Sequence, residues 1–354
     1  MKISSVKTET IETHLADEGF ATTYGKEPSI RYHVIVRITT DSGFTGIGEA
    51  CPLPFTADSD PGQVRHEIDI QLTPFLIGKD PFDQDILQEL TNQFPVVGGT
   101  ARTGVDLALH DLMGKIQGVP VYKILGGICR ENVEIAAVLG IGTPQTIAEE
   151  AMQQLRLGMK SVKIKVGLEV DRDIETLKLV RETVGESAKI RADANTGYSV
   201  KQALRVLKIC EELDLEYLEQ PLAVDDFEGF SELRKASSVP LMADESLYTY
   251  EDAKKLIEHE CVDFFGLKLI KHGGIFQSSR IAKLAEENDI ECVIISPWET
   301  QLGVSAAVHL ALSNSNFNHP HEIAPGSLKD DPFQGLVANM GIYETPKGAG
   351  LGVN

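Results

Sequence analysis

Beyond residue 130 the chain alternates short apolar runs with stretches whose apolar residues recur three or four positions apart. The runs include "SVKIKVG", "KIRADANTG", "LEYLEQPL", "PLMADESL" and "FFGLKLIKHGG". The stretches between and beyond them include "TPQTIAEEAMQQLRLG", "SVKQALRVLKICEEL", "TYEDAKKLIEHE", "GGIFQSSRIAKLAEEN" and "GVSAAVHLALS". Apolar blocks bounded by turn residues read as buried strands, and the spaced stretches read as amphipathic helices. Strict alternation of the two predicts a parallel sheet with helices outside it. Strands near 133, 161, 189, 215, 240, 263, 291 and 319 make eight, the last with the weakest pattern, and eight such units close a TIM-type (β/α) barrel. A doubly wound sheet would need a glycine-rich phosphate turn after its first strand. The closely spaced glycines of "PKGAGLGVN" lie at the end with no helix after them and read as tail loop.

The first third has a different rhythm. "SIRYHVIVRITT" and "GFTGIGEACPL" are β-branched runs joined by "DSG", a hairpin signal, and the opening segment supplies a third strand. Helical spacing follows in "PGQVRHEIDIQLTPFL", "PFDQDILQELTNQF" and "ARTGVDLALHDLMGKIQG". The expected organisation is an α+β capping domain over 1–125, a catalytic barrel over 126–324, and a tail, 325–354, that packs back on the cap. No linker separates the blocks, so they should share one site.

The charged residues change the picture from a barrel to an enzyme. Lys165, Asp193, Glu219, Asp244 and Lys268 each end an apolar run, at intervals of 24 to 28 residues, about one βα unit. Ends of consecutive barrel strands converge on one mouth. Lys163 and Lys165 point the same way because strand side chains alternate. Two ammonium groups in one small space repel each other, which with desolvation draws a lysine toward use as a base. Three carboxylates brought together repel by roughly 1 to 4 kcal/mol per pair, and a divalent cation removes that conflict. An all-oxygen set favours Mg2+, then Mn2+, with Zn2+ last. Strands two and six lie opposite each other in an eight-stranded barrel, so Lys165 and Lys268 should face one another across a bound substrate. That arrangement suits removal of the proton α to a carboxylate through an enediolate, with return of a proton from the other side and inversion of the centre.

Composition sets the boundaries. The chain has 354 residues, 42% of them hydrophobic and 24% charged, which suits two domains or one large barrel with an addition. A formal charge of −20 argues against nucleic acid or an anionic membrane as partner. Five scattered cysteines without a CxxC pair suit reduced thiols. The start lacks an apolar signal region and no long apolar run occurs, so a cytoplasmic protein is expected. The expected partners are a small-molecule carboxylate substrate and further copies of the chain in a homo-oligomer. His319-Pro320-His321 is an H-x-H pair of a kind that binds zinc in barrel hydrolases, but the other strand ends carry acids and lysines instead.

As a set, "ARTGVDLALHDLMGK", the KIK motif, "ADAN", "LEQP", "ADES", "LKLIKHGG" and the final "GAGLGV" resemble the enolase superfamily. Within it the chain is similar to the muconate-lactonizing enzyme subgroup of the mandelate racemase/muconate lactonizing enzyme family, including dipeptide epimerases and N-acylamino acid racemases. The resemblance implies Mg2+ on Asp193, Glu219 and Asp244, Lys165 and Lys268 as the acid/base pair, and Lys163 tuning Lys165. It further implies Asn195 beside the first metal ligand and Glu245 supporting the opposite lysine by a hydrogen bond. Capping loops would close the mouth, making Phe20, Tyr24 and Phe55 pocket walls. Dipeptide epimerases carry Asp-x-Asp at the eighth strand end for a substrate ammonium; here Glu322 and Ala324 stand at those places. Trp298, the only tryptophan, next to Glu299, could hold an alkylated or cyclic ammonium by cation–π attraction. The expected activity is a racemase or epimerase of an N-substituted amino acid, cyclic amino acid or dipeptide. A cycloisomerase or syn dehydratase would use the same residues, and a non-catalytic metal- and ligand-binding barrel is the alternative from another class.

Overall fold

The computed structural model describes residues 1–53, 60–83, 85–94 and 99–354. Three antiparallel strands open the chain, β1 (Ile3–His14), β2 (Ile30–Thr40) and β3 (Thr45–Ala50), paired in that order. Val34, Val36 and Ile38 alternate along one face of β2 and pack with Val105, Ala108 and Leu112 of helix α1 (Thr100–Gln117). The helix lies almost on the strand backbone. A Cβ added to Gly48 would stand 2.2 Å from the Gly104 carbonyl oxygen, and one on Gly46 would stand 2.1 Å from that of Ala108. Only glycine permits that approach.

The barrel follows. Seven parallel strands run in sequence order: β4 (Ala136–Leu139), β5 (Ser161–Lys165), β6 (Lys189–Asp193), β7 (Leu218–Glu219), β8 (Leu241–Ala243), β9 (Phe264–Leu267) and β10 (Glu291–Ile294). The eighth place is filled by two residues, His321 and Glu322, which bridge to Ile135 and Ile295. Ala136 N donates to His321 O at 2.8 Å and Ser296 N to Glu322 O at 3.0 Å, so the ring closes without a full strand. Pro320 has no N–H to give a ladder, which is why the pattern there is weak. The run near 133 divides in two: Asn132–Glu134 pairs antiparallel with Ile342–Glu344 of the tail, and only the next residues enter the barrel. Between strands most helices bury one stripe; Val200–Glu212 buries Ala203, Val206, Leu207 and Cys210 behind a Ser199/Gln202 capping box, whereas Gln301–Ser313 is buried on every side.

Carboxylates join the layers. Asp106 of α1 accepts from Ile275 N (2.7 Å) and Phe276 N (3.2 Å), satisfying two of the free donors at the start of barrel helix Ile275–Glu286. Asp111 accepts from Ile47 N and Leu351 N, both at 2.8 Å, tying the cap sheet to the tail. Gly350 of the "GAGLGV" segment bonds through N to Val119 O and through O to Val121 N. Among the described residues no helix is long and apolar enough to cross a membrane.

Candidate active site

Strand β5 sends Val162 and Ile164 into the apolar layer beneath the helices and Lys163 and Lys165 into the barrel. Both amines reach one oxygen, Asp193 Oδ2, at 3.2 Å from Lys163 and 2.6 Å from Lys165. Lys163 also donates to Glu219 Oε2 at 2.9 Å and pairs with Glu322. On the far side Lys268 donates to Asp244 Oδ2 at 2.5 Å. Hydrogen bonds at the strand ends set the acids in place. Asn195 N holds Asp193 Oδ1 at 2.9 Å, while Gln220 Oε1 receives Asp244 N at 3.0 Å and Ser246 N at 3.1 Å. Asn195 and Gln220 sit at φ 39° and 35°, left-handed values uncommon outside glycine, where the chain leaves β6 and β7.

The charges do not balance evenly. Burial pushes the Asp193 carboxyl up, but Lys165 and Lys163 outweigh it and bring it down to about 2. Asp244 is likewise buried, yet Lys268 and Lys271 hold it far below the usual carboxylate range. Glu219 goes the other way: burial and the neighbouring Asp193 charge drive it well above its ordinary value, and its Oε1 has no hydrogen-bond partner. Burial lowers Lys163, but Glu219, Glu322 and Asp193 more than reverse this, so its pKa is raised. Lys163, the lysine that the resemblance has tuning Lys165, is therefore held in its charged form by the three carboxylates around it.

Above these groups lies a cavity of about 360 Å³, lined by Lys163, Lys165, Asp244, Lys268, Glu322 and Trp298 among others. Phe20 and Tyr24 also line it, whereas Phe55 lies outside the described residues. Glu299 is not on the wall. Its buried carboxyl turns toward Glu49, and burial together with that charge raises it to about 8. Glu322 reaches the floor, but Tyr217 OH donates to its Oε1 at 2.7 Å and Lys163 pairs with Oε2, so it is committed to the barrel interior rather than free for a substrate ammonium. Trp298 faces an internal cation already, Arg31, 5.9 Å from the ring centre. Glu245 Oε1 accepts from Asn195 Nδ2 at 2.8 Å and from Tyr24 OH at 2.9 Å, beside Lys165, which donates to Asn195 Oδ1 at 2.9 Å, and its charge also acts on Lys268. His321 is buried with Nδ1 engaged by Ile294 N, and His319 pairs with Glu291, so the H-x-H pair is spent.

One site residue escaped the strand-end pattern. Lys271 lies one helical turn after Lys268 and donates to Asp244 Oδ1 (2.6 Å) and to its backbone carbonyl (2.5 Å). The three-residue spacing was the available signal, since i and i+3 share a helix face.

Residues 146–354 match the enolase C-terminal domain-like family model, and residues 19–126 match that of the mandelate racemase / muconate lactonizing enzyme N-terminal domain. The chain belongs to the mandelate racemase/muconate lactonizing enzyme family. Relatives from this family include the L-Ala-D/L-Glu epimerase of Bacillus subtilis, 35% identical over 90% of this chain and 88% of that protein. The N-succinyl-L-Arg/Lys racemase of Bacillus cereus is 32% identical over 88% of this chain and 85% of that one. A dipeptide epimerase structure from Enterococcus faecalis, complexed with Mg and L-Leu-L-Tyr, superposes with a TM-score of 0.94 at 31% identity, covering 100% of both chains.

Proposed function

We propose that this family member is a Mg2+-dependent racemase or epimerase that inverts the carbon α to the carboxylate of an amino-acid derivative, with Lys165 and Lys268 as its two bases. The observation that carries this reading is that both amines border one cavity from strand ends two and six, each fixed on a different buried carboxylate. One lysine takes the α-proton from its face and the other returns one from the opposite face. Asn195 and Glu245 orient Lys165, while Lys163 stays charged and holds Asp193 and Glu219 in place.

Asp193, Glu219 and Asp244 fit a hard divalent cation. With the lysines drawn mainly to Asp193 and Asp244, the unpartnered Glu219 Oε1 and the upward drive on that carboxyl mark the acid that a shared cation would still satisfy. When bound, the ion supplies the charge that stabilises negative charge building on the substrate carboxylate. The relatives act on dipeptides and on N-succinyl amino acids, and the same substrate classes are proposed here. Between them we favour an N-substituted amino acid. Glu322 is engaged and Ala324 is apolar, so the floor offers no free acid pair for a dipeptide ammonium.

The test is α-proton exchange in heavy water with Mg2+, across N-succinyl amino acids and dipeptides. Deuterium should enter the α-carbon of recovered substrate with inversion and without loss of water. Net dehydration or lactone formation instead would replace this reading.

A further inference from the structure

We propose that Glu49, braced by His33, is a positioning residue that locks the capping sheet to the turn carrying Trp298 and so sets the wall of the substrate cavity. The inference rests on the racemase reading and adds a residue to it.

Glu49 is fully buried on β3, and four hydrogen bonds converge on it. His33 Nδ1 lies 2.6 Å and Thr300 N 3.0 Å from Oε1; Thr300 Oγ1 lies 2.6 Å and Gly303 N 2.9 Å from Oε2. His33 on β2 is itself held by Thr13 Oγ1 of β1, 2.8 Å from Nε2. All three capping strands thus feed one carboxylate, and that carboxylate grips the start of barrel helix Gln301–Ser313, whose N-cap is Thr300. A negative charge at a helix N-terminus is stabilised by the unpaired N–H groups there. Cys51 Sγ lies within 4.8 Å of the His33 and Glu49 ligand atoms, as a metal cluster would require. Each Glu49 oxygen already accepts two bonds and both His33 nitrogens are engaged, so the cluster is used as a joint.

What the joint holds is the cavity wall. Trp298 lies two residues before Thr300, in a left-handed conformation (φ 67°) that a tryptophan keeps only when its surroundings enforce it. Its ring meets the edge of Phe20 from the capping loop at 4.8 Å, with the planes at 80°, and both rings line the cavity. Arg31 of β2 stands over the same ring and pairs with Glu27, another wall residue. The lysines are fixed from β5 and β9, independently of this joint. Loosening Glu49 should therefore weaken substrate binding much more than the proton transfers.

Trp298 is the sole tryptophan, so its emission reports on the joint without any substrate. Glu49→Gln should red-shift that emission and increase acrylamide quenching about twofold. For the N-succinyl amino acid or dipeptide that the wild-type protein exchanges fastest with Mg2+, it should raise KM about tenfold with kcat within threefold. Thr300→Val, which keeps the backbone donor, should do the same more weakly, by about threefold in KM, and carries the test if the glutamine variant does not fold; Thr300→Ser should match wild type. Unchanged emission and KM in both Glu49→Gln and Thr300→Val, or a loss confined to kcat, would overturn the proposal. Absence of exchange in wild type would instead remove the reaction, while the emission comparison would still decide the joint.

Discussion

At the scale of single residues the site works by unequal pairing. Asp193 serves two lysines and Asp244 serves two more, whereas Glu219 leaves one oxygen without a partner. If Lys165 and Lys268 act from opposite faces, removing one should not abolish both half-reactions. Lys268→Ala should cut racemisation by about 10³-fold yet still exchange the α-proton of the enantiomer that Lys165 faces, and Lys165→Ala should show the converse. Proton NMR of each pure enantiomer in heavy water checks this; equal loss for both enantiomers would contradict a divided pair. Glu299 gives a second prediction. Its folded pKa, about 8, stands above the ordinary value of 4.5, because burial and then Glu49 oppose its charge. The folded state therefore holds this proton more tightly, and the stability it adds is present below about pH 4.5 and lost as pH rises toward 8. Glu299→Gln should flatten that alkaline decline in a series of melting curves from pH 5 to 9. The charged residues were legible because they fall at strand ends in a fixed rhythm. Lys271 was not, since it follows the strand in a one-turn helix, and the direction in which Glu299 points depends on a carboxylate 250 residues away.

At the scale of elements, legibility follows how local the cause is. Strands β5 to β10 announce themselves through their own apolar runs, and the outer helices through their own stripes. The eighth barrel position does not, because two residues between neighbouring edges complete the ring and no run is needed. Joints between cap and barrel are equally silent: Asp106 capping a helix that starts at Ile275 leaves no trace in either segment alone. Glycines at helix–strand contacts are a sharper case. Gly48→Ala would force its new Cβ onto α1 backbone that has no flexible side chain to yield, with Gly104 O at 2.2 Å and Ala108 N at 2.4 Å. Overpacking of this kind costs about 1–3 kcal/mol, and more where backbone must shift. Urea unfolding should show a lower midpoint with an unchanged slope. A midpoint equal to wild type would mean that helix and strand are not in contact in solution.

For the whole molecule, the decisive balance is between a chain of net charge −20 and a barrel mouth that gathers both signs. The overall field draws cations in and holds anionic substrates off, so a carboxylate substrate must be won locally, by Lys165, Lys268 and the ion proposed between the acids. Because the three acids come from three separate strands, an unfolded chain has no such site, and cation binding must add to stability. At a free concentration 100-fold above Kd the gain is about 2.7 kcal/mol. For a protein somewhat larger than those in which each kcal/mol moves Tm by about 2–4 °C, that corresponds to a rise of about 5 °C. Mg2+ should therefore raise Tm in a concentration-dependent way, and Glu219→Gln should abolish the rise while the apo variant melts no lower than apo wild type, since it removes a buried carboxylate already driven toward its neutral form. Raising ionic strength should weaken binding, as salt screens the −20 field beyond about 10 Å at 0.1 M while leaving the direct ligands in place. A Tm shift that survives Glu219→Gln would locate the bound ion elsewhere and separate the acids from the lysines they accompany.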